Sequence, residues 1–171
     1  MKKLLWLLPL GLLLAVQLIR PEYTNPPVDQ AQDIQQVANV PADVMTVLRA
    51  SCYDCHSNET VYPWYSQIAP VSWMVVDHVQ EGREKLNFST FGQLNAGDRA
   101  EALEEAAETL QEGEMPLREY VWMHPSARLT ADSKALLLNW LQANGGEGAD
   151  GGEGGAQNGQ GSETAGEDDD D

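Results

Sequence analysis

Apolar residues run almost unbroken from Leu4 to Ile19, give way to a polar stretch, and return from Val44 onward at helical spacing. Val44, Val47, Leu48 and Ser51 fall on one face of a first helix, with Pro41 suited to its opening turn. Val71, Val75, His78 and Val79 share a face of a second, expected to end at Gly82. Ala100, Leu103, Ala107 and Leu110 form the stripe of a third, which Asn95 can cap and Gly113 can stop. Leu136, Leu137, Trp140 and Leu141 mark a fourth, opened by Thr130 and closed at Asn144–Gly145. Strand-like alternation is absent. The expected fold class is all-α, four or five helices joined by long loops rich in aromatics and proline. Such loops need something to pack on, and a bulky apolar cofactor would serve.

The two ends have other patterns. The Leu4–Ile19 run is broken only by Pro9, Gly11 and Gln17, and Lys2 and Lys3 precede it. A positive flank before an apolar stretch is an export signal. No small-residue cleavage site comes after it, so residues 1–20 read as a signal anchor, with a cleaved signal peptide as the alternative. The positive-inside rule keeps the lysines in the cytoplasm and exports the remainder of the chain. Residues 21–37, with Pro21, Pro26 and Pro27, read as a linker, and residues 38–144 as the folded domain. Residues 145–171 hold no aromatic, no basic residue and no aliphatic larger than alanine. That composition cannot offset its own ordering entropy, so it reads as a disordered acidic tail. The tail carries nine acidic residues of a chain whose net charge is −17. The rest is acidic as well, which argues against nucleic acid as a partner.

The chain's only cysteines, Cys52 and Cys55, are three apart and followed directly by His56. A structural zinc site wants four ligands, and His78 and His124 lack the spacing to complete one. A redox dithiol of the thioredoxin kind needs a βαβ setting. A disulfide would suit an exported domain but leaves His56 incidental. C-x-x-C-H is the c-type haem attachment pattern, which uses all three residues. Each thiol bonds to a haem vinyl group, and the histidine becomes the proximal iron ligand.

Beyond that motif, "CYDCHSNETVYPWYSQIAPVSWMVVDHVQEGREKLNFSTF" (52–91), "GEMPLREYVWMHPSARLT" (113–130) and the tryptophan of "LLLNWL" resemble the haem-binding domain family of exported bacterial proteins. The order of helix, motif, aromatic loop, Met-Pro and final helix also resembles class I cytochromes c. The resemblance covers about residues 41–142. It implies a small cytochrome c-like domain with one covalent haem c, and supplies no physiological reaction. By the same analogy Met115, ahead of Pro116, is the expected distal ligand, with His78 and His124 as alternatives. Pro70 is expected to end a loop whose carbonyl orients His56. Trp64, Tyr65, Trp73, Tyr120 and Trp122 are expected to wall the haem, and Met45, Met74 and Met123 to fill core.

The expected function is single-electron transfer by a membrane-anchored periplasmic c-type cytochrome. Its partners would be redox proteins, and the membrane through residues 4–19. A peroxidase-like domain with an open distal site and a haem-based sensor are the alternatives, so an electron carrier is favoured over an enzyme.

Overall fold

The computed structural model of the protein describes residues 4–146. It is built from helices throughout. Helix α1 (Leu4–Val16) precedes a short 3-10 turn (Gln30–Gln32) and α2 (Ile34–Val37). Helix α3 (Ala42–Ser51) runs almost directly into the single turn α4 (Tyr53–His56). A 3-10 turn (Trp64–Gln67) leads to α5 (Val71–Lys85), and another (Phe88–Gln93) to α6 (Ala96–Glu112). Helix α7 (Arg118–Met123), a 3-10 turn (Pro125–Ala127) and α8 (Ala131–Asn144) complete the described chain.

The punctuation follows local chemistry. Asn95 caps α6 by accepting from the Asp98 amide, and Gly113 ends it at φ 78°, a left-handed backbone that glycine adopts without strain. Thr130 caps α8 in a reciprocal pair with Ser133. The α6 stripe is buried as its spacing predicts: Ala100, Leu103, Ala107 and Leu110. On α8, Leu137, Trp140 and Leu141 are buried, while Leu136 is only half-buried.

Helix α8 packs on both α6 and α3, and α5 packs on α4. One apolar cluster joins α3, α4, α6 and α8 and includes Ile34, Leu48, Phe91, Leu103, Leu110 and Leu141. Helix α5 departs from expectation in two ways. It continues past Gly82 to Lys85, because that glycine sits in a close helix contact and not at an end. Of the predicted stripe only Val79 is buried; the other buried residues are Ser72, Val76 and Gly82, one step round. Val71, Val75 and His78 line cavities instead.

The segment expected as a linker is part of the folded unit. Ile34 is fully buried in the core, and Asp33 caps α2 beneath it. Further upstream, Arg83 donates to the carbonyls of Thr24 and Ser57 and to the side chains of Asn25 and Thr60. The prolines of this stretch shape an extended path over the domain. The Thr24 carbonyl there also accepts from the Tyr62 hydroxyl at 3.4 Å.

Helix α1 is apolar on every face and contains Pro9, and Leu8, Leu10 and Leu12 to Leu14 are exposed. Its 13 residues span roughly 20 Å at about 1.5 Å per residue. Among the described residues no helix is long and apolar enough to cross a membrane. Most of the expected acidic tail, residues 147–171, lies outside the described residues. Gly145, placed in the tail by composition, packs against the α6 backbone: a Cβ there would meet the Glu104 nitrogen at 2.9 Å.

Candidate functional site

Helix α3 delivers the motif and α4 displays it. Cys52 ends α3, and the next four residues make one turn, with the Cys55 and His56 amides bonded to the Cys52 carbonyl. One turn is too short to hold itself, since its terminal amides and carbonyls have no helical partners. Side chains supply partners for two of the carbonyls. Ser57 Oγ donates to the Tyr53 carbonyl at 2.7 Å, and Thr60 Oγ1 to the Asp54 carbonyl at 2.7 Å.

The two residues between the cysteines are the larger anchors. The Tyr53 hydroxyl points into the core and donates to the buried Asp33 carboxylate, 3.1 and 3.2 Å from its oxygens. Burial and that carboxylate push the Tyr53 phenol well above its ordinary range, so it stays a donor. Asp54 points the other way. It accepts from the Tyr120 hydroxyl at 2.7 Å and from the Val61 amide at 3.2 Å. The motif turn is therefore pinned on one side to α2 and on the other to α7. No spacing rule exposes these roles. The signal was only that polar groups occupy both variable positions.

His56 is oriented by a different carbonyl from the one expected. Its Nδ1 lies 2.9 Å from the Leu86 oxygen, just past the end of α5, and not near Pro70. Pro70 instead caps the start of α5. A carbonyl only accepts, so Nδ1 carries the proton and Nε2 keeps a free lone pair. Burial lowers the His56 pKa, which favours the neutral ring that metal ligation requires. Leu86 reaches His56 because α5 crosses α4 closely at Gly82, where a Cβ would meet the Cys55 carbonyl oxygen at 2.8 Å.

Cys52 and Cys55 are free thiols. Burial, then the neighbouring Cys55, pushes Cys52 up to about 12; burial, then Asp54, pushes Cys55 up to about 11. Dithiol exchange catalysts need the opposite, a depressed thiol pKa. Among the described residues no three His, Cys, Asp or Glu side chains are grouped to hold a metal ion.

Both thiols, His56, His78 and Met115 line one cavity of about 590 Å³. Leu48, Leu86, Phe88, Leu110, Leu117 and Trp140 supply apolar wall. Five glutamates, Glu81, Glu105, Glu108, Glu112 and Glu114, stand in its lining with a single lysine, Lys85. Met115 is 38 % exposed and so is not committed to core packing. His124 lies elsewhere. It stacks on Tyr120 and faces the Tyr65 hydroxyl in a second cavity of about 310 Å³, where Met74 and Met123 also lie. The aromatic wall differs from expectation too. Phe88, Tyr120 and Trp140 line the first cavity, whereas Trp64 and Trp122 are exposed. Met74 and Met123 are exposed rather than core, while Met45 is buried.

A family model described as "Haem-binding domain" matches residues 11–143. The chain belongs to the haem-binding domain family. Searches of curated proteins and of solved structures gave no match. The residues of this haem-binding protein fit such a group. A cavity of this size lies within the roughly 300–1,000 Å³ typical of cofactor sites. It is mainly apolar, and one neutral imidazole is held with its ligating nitrogen free. The matched span begins inside α1 and includes the Arg83-bound segment, consistent with that segment folding as part of the unit.

Proposed function

We propose that the protein is a mono-haem c-type cytochrome, held at the outer face of the cytoplasmic membrane by residues 4–19, that passes single electrons between partner proteins. The observation that carries this reading is one cavity lined by both motif thiols, an oriented neutral His56 and Met115. A bound haem would supply a centre that gains and loses one electron. Cys52 and Cys55 would each add S–H across a vinyl group, sulfur to one carbon and hydrogen to the other, with no change of oxidation state overall. Their raised pKa keeps them protonated, which suits addition better than exchange. His56 Nε2 would be the proximal donor, with Leu86 fixing its ring. Met115 would be the distal donor. The glutamates around the cavity favour a partner with a basic surface, and repel acidic ones.

Membrane attachment is supported by the lysine-flanked apolar run and by α1 being apolar all round. Export is supported by the same lysines and suits covalent haem attachment, which takes place outside the bacterial cytoplasm.

Acid-acetone extraction of the denatured protein tests the covalent bond directly. The haem should remain with the polypeptide, and its pyridine complex should absorb as a thioether-substituted haem. Haem that extracts freely would overturn the c-type reading. The peroxidase-like alternative draws on His78, which lines the same cavity. A high-spin ferric spectrum sensitive to His78→Ala, and indifferent to Met115→Ala, would favour it.

A further inference from the structure

The surface beside α1 is unusual for so acidic a chain. Residues 60–76 contain no charged side chain, although the chain carries a net −17. Several of them are large, apolar and open to solvent: Val61 is 73 % exposed, Trp64 74 % and Ile68 47 %. Trp122 at 82 % and Met123 at 47 % extend the patch, since both line the second cavity together with Val61, Tyr65 and Met74. Exposed apolar residues in such a group mark a surface that something covers.

The end of the apolar run is tied to this surface. The Gln17 amide donates to the Ala69 carbonyl at 3.1 Å and accepts from the Ala69 amide at 3.0 Å. The Trp73 indole donates to the Ile19 carbonyl at 2.9 Å. The Tyr23 hydroxyl donates to the Ser66 carbonyl. Chain leaving α1 is thus fastened at three points to the segment that carries Trp64 and Ile68.

We propose that this largely apolar face lies on the lipid bilayer, so that the haem-binding domain is seated on the membrane and does not swing on a tether. The proposal rests on the reading that residues 4–19 sit in the bilayer. Given that, the three ties place the Trp64–Ile68 turn within reach of the lipid interface. Tryptophan and tyrosine suit that depth, with an apolar ring and a polar N–H or O–H. Residues 60–76 bring no carboxylate against the lipid, although Asp54 and Glu119 also line the second cavity. Seating would also keep the glutamate-lined cavity in one orientation toward soluble partners.

The test uses the full haem-loaded chain reconstituted into phosphatidylcholine vesicles. These contain a lipid whose photoreactive diazirine lies near the headgroup. Flotation reports anchoring, and mass spectrometry maps the labelled residues. The expected result is that the protein floats, with label on α1 and also on residues 61–74 and 122–123. The double variant Trp64→Ser, Ile68→Ser should float equally and keep its haem spectrum, but lose label at Trp122 and Met123 severalfold. Label confined to α1 in a floating protein would overturn the seated face and leave the anchor standing. Protein that fails to float would overturn the anchor reading, and the seating with it. Protection of Trp64 by a second copy or a co-purified protein, with no lipid label, would assign the face to that partner instead.

Discussion

At the scale of single residues, the motif is supported by partners that lie far from it in sequence. Leu86 orients His56, Asp33 holds Tyr53, and Tyr120 holds Asp54. Tyr120→Phe removes a donor from a carboxylate at 2.7 Å. A hydrogen bond to a charged group is worth about 1.5–3 kcal/mol when buried, and this half-buried pair should fall toward the lower end. The variant should be less stable by about 1–2 kcal/mol in guanidinium unfolding of the haem-loaded protein, with its absorption spectrum kept. A spectrum that changed as much as the stability would show Tyr120 acting on the haem itself. Met115 carries a sharper expectation. Thioether sulfur is soft and neutral and favours ferrous iron, so Met115→His should stay low-spin while its midpoint potential falls. The fall should be on the order of 100 mV, a modest part of the roughly 0.8 V range that axial ligands span. Met115→Ala should open the position to water or added ligands. If its spectra matched the parent's, Met115 would not be the ligand.

At the scale of elements, the α4–α5 crossing is the joint on which the site depends. Gly82 lets the α5 backbone touch Cys55, and four residues later the same stretch of chain presents the Leu86 carbonyl to His56. A methyl group at residue 82 would meet backbone atoms of Cys55, the oxygen at 2.8 Å and the carbonyl carbon at 3.2 Å. Neither can turn aside as a flexible side chain would. Gly82→Ala should therefore push the two helices apart, at a cost of about 1–3 kcal/mol, the usual range for overpacking. Because the displaced element carries Leu86, the variant should also mature with a lower haem-to-protein ratio. Unchanged unfolding midpoint and haem content would show that the crossing relaxes freely. This joint also explains why the sequence pattern ends α5 too early. Glycine closes helices often enough to suggest a stop, but here it serves close packing, which depends on a helix brought in from elsewhere.

At the scale of the whole molecule, the composition of the C-terminal segment and the packing of Gly145 set a boundary. Gly145 rests on the Glu104 backbone, so a truncation should keep it. Removal of residues 147–171 should leave the haem spectrum, midpoint potential and unfolding midpoint nearly unchanged. Exposed charges more than about 8–10 Å away are screened at ordinary salt. Electron exchange with a basic partner should slow, most visibly at low ionic strength. Collapse of the spectrum on truncation would make the segment part of the fold.

The sequence by itself determined the helices whose burial repeats along the chain and whose ends are closed by nearby side chains. Asn95, Gly113 and Thr130 act within a turn of their own helix, so their roles were legible before any folding. The C-x-x-C-H pattern was legible for the same reason, since both thiols and the imidazole lie within five residues. Tertiary structure alone decided which carbonyl meets His56, why Gly82 must be glycine, and that Arg83 fastens the stretch read as a linker. It also decided which of the distal candidates share a cavity with both thiols and His56: Met115 and His78 do, while His124 lines a second cavity that Cys55 alone of the three borders. Each of these is a contact between residues far apart in the chain. The order of residues does not fix such a contact; the way α5 packs on the motif turn, with α6 and α8 walling the cavity beside it, does.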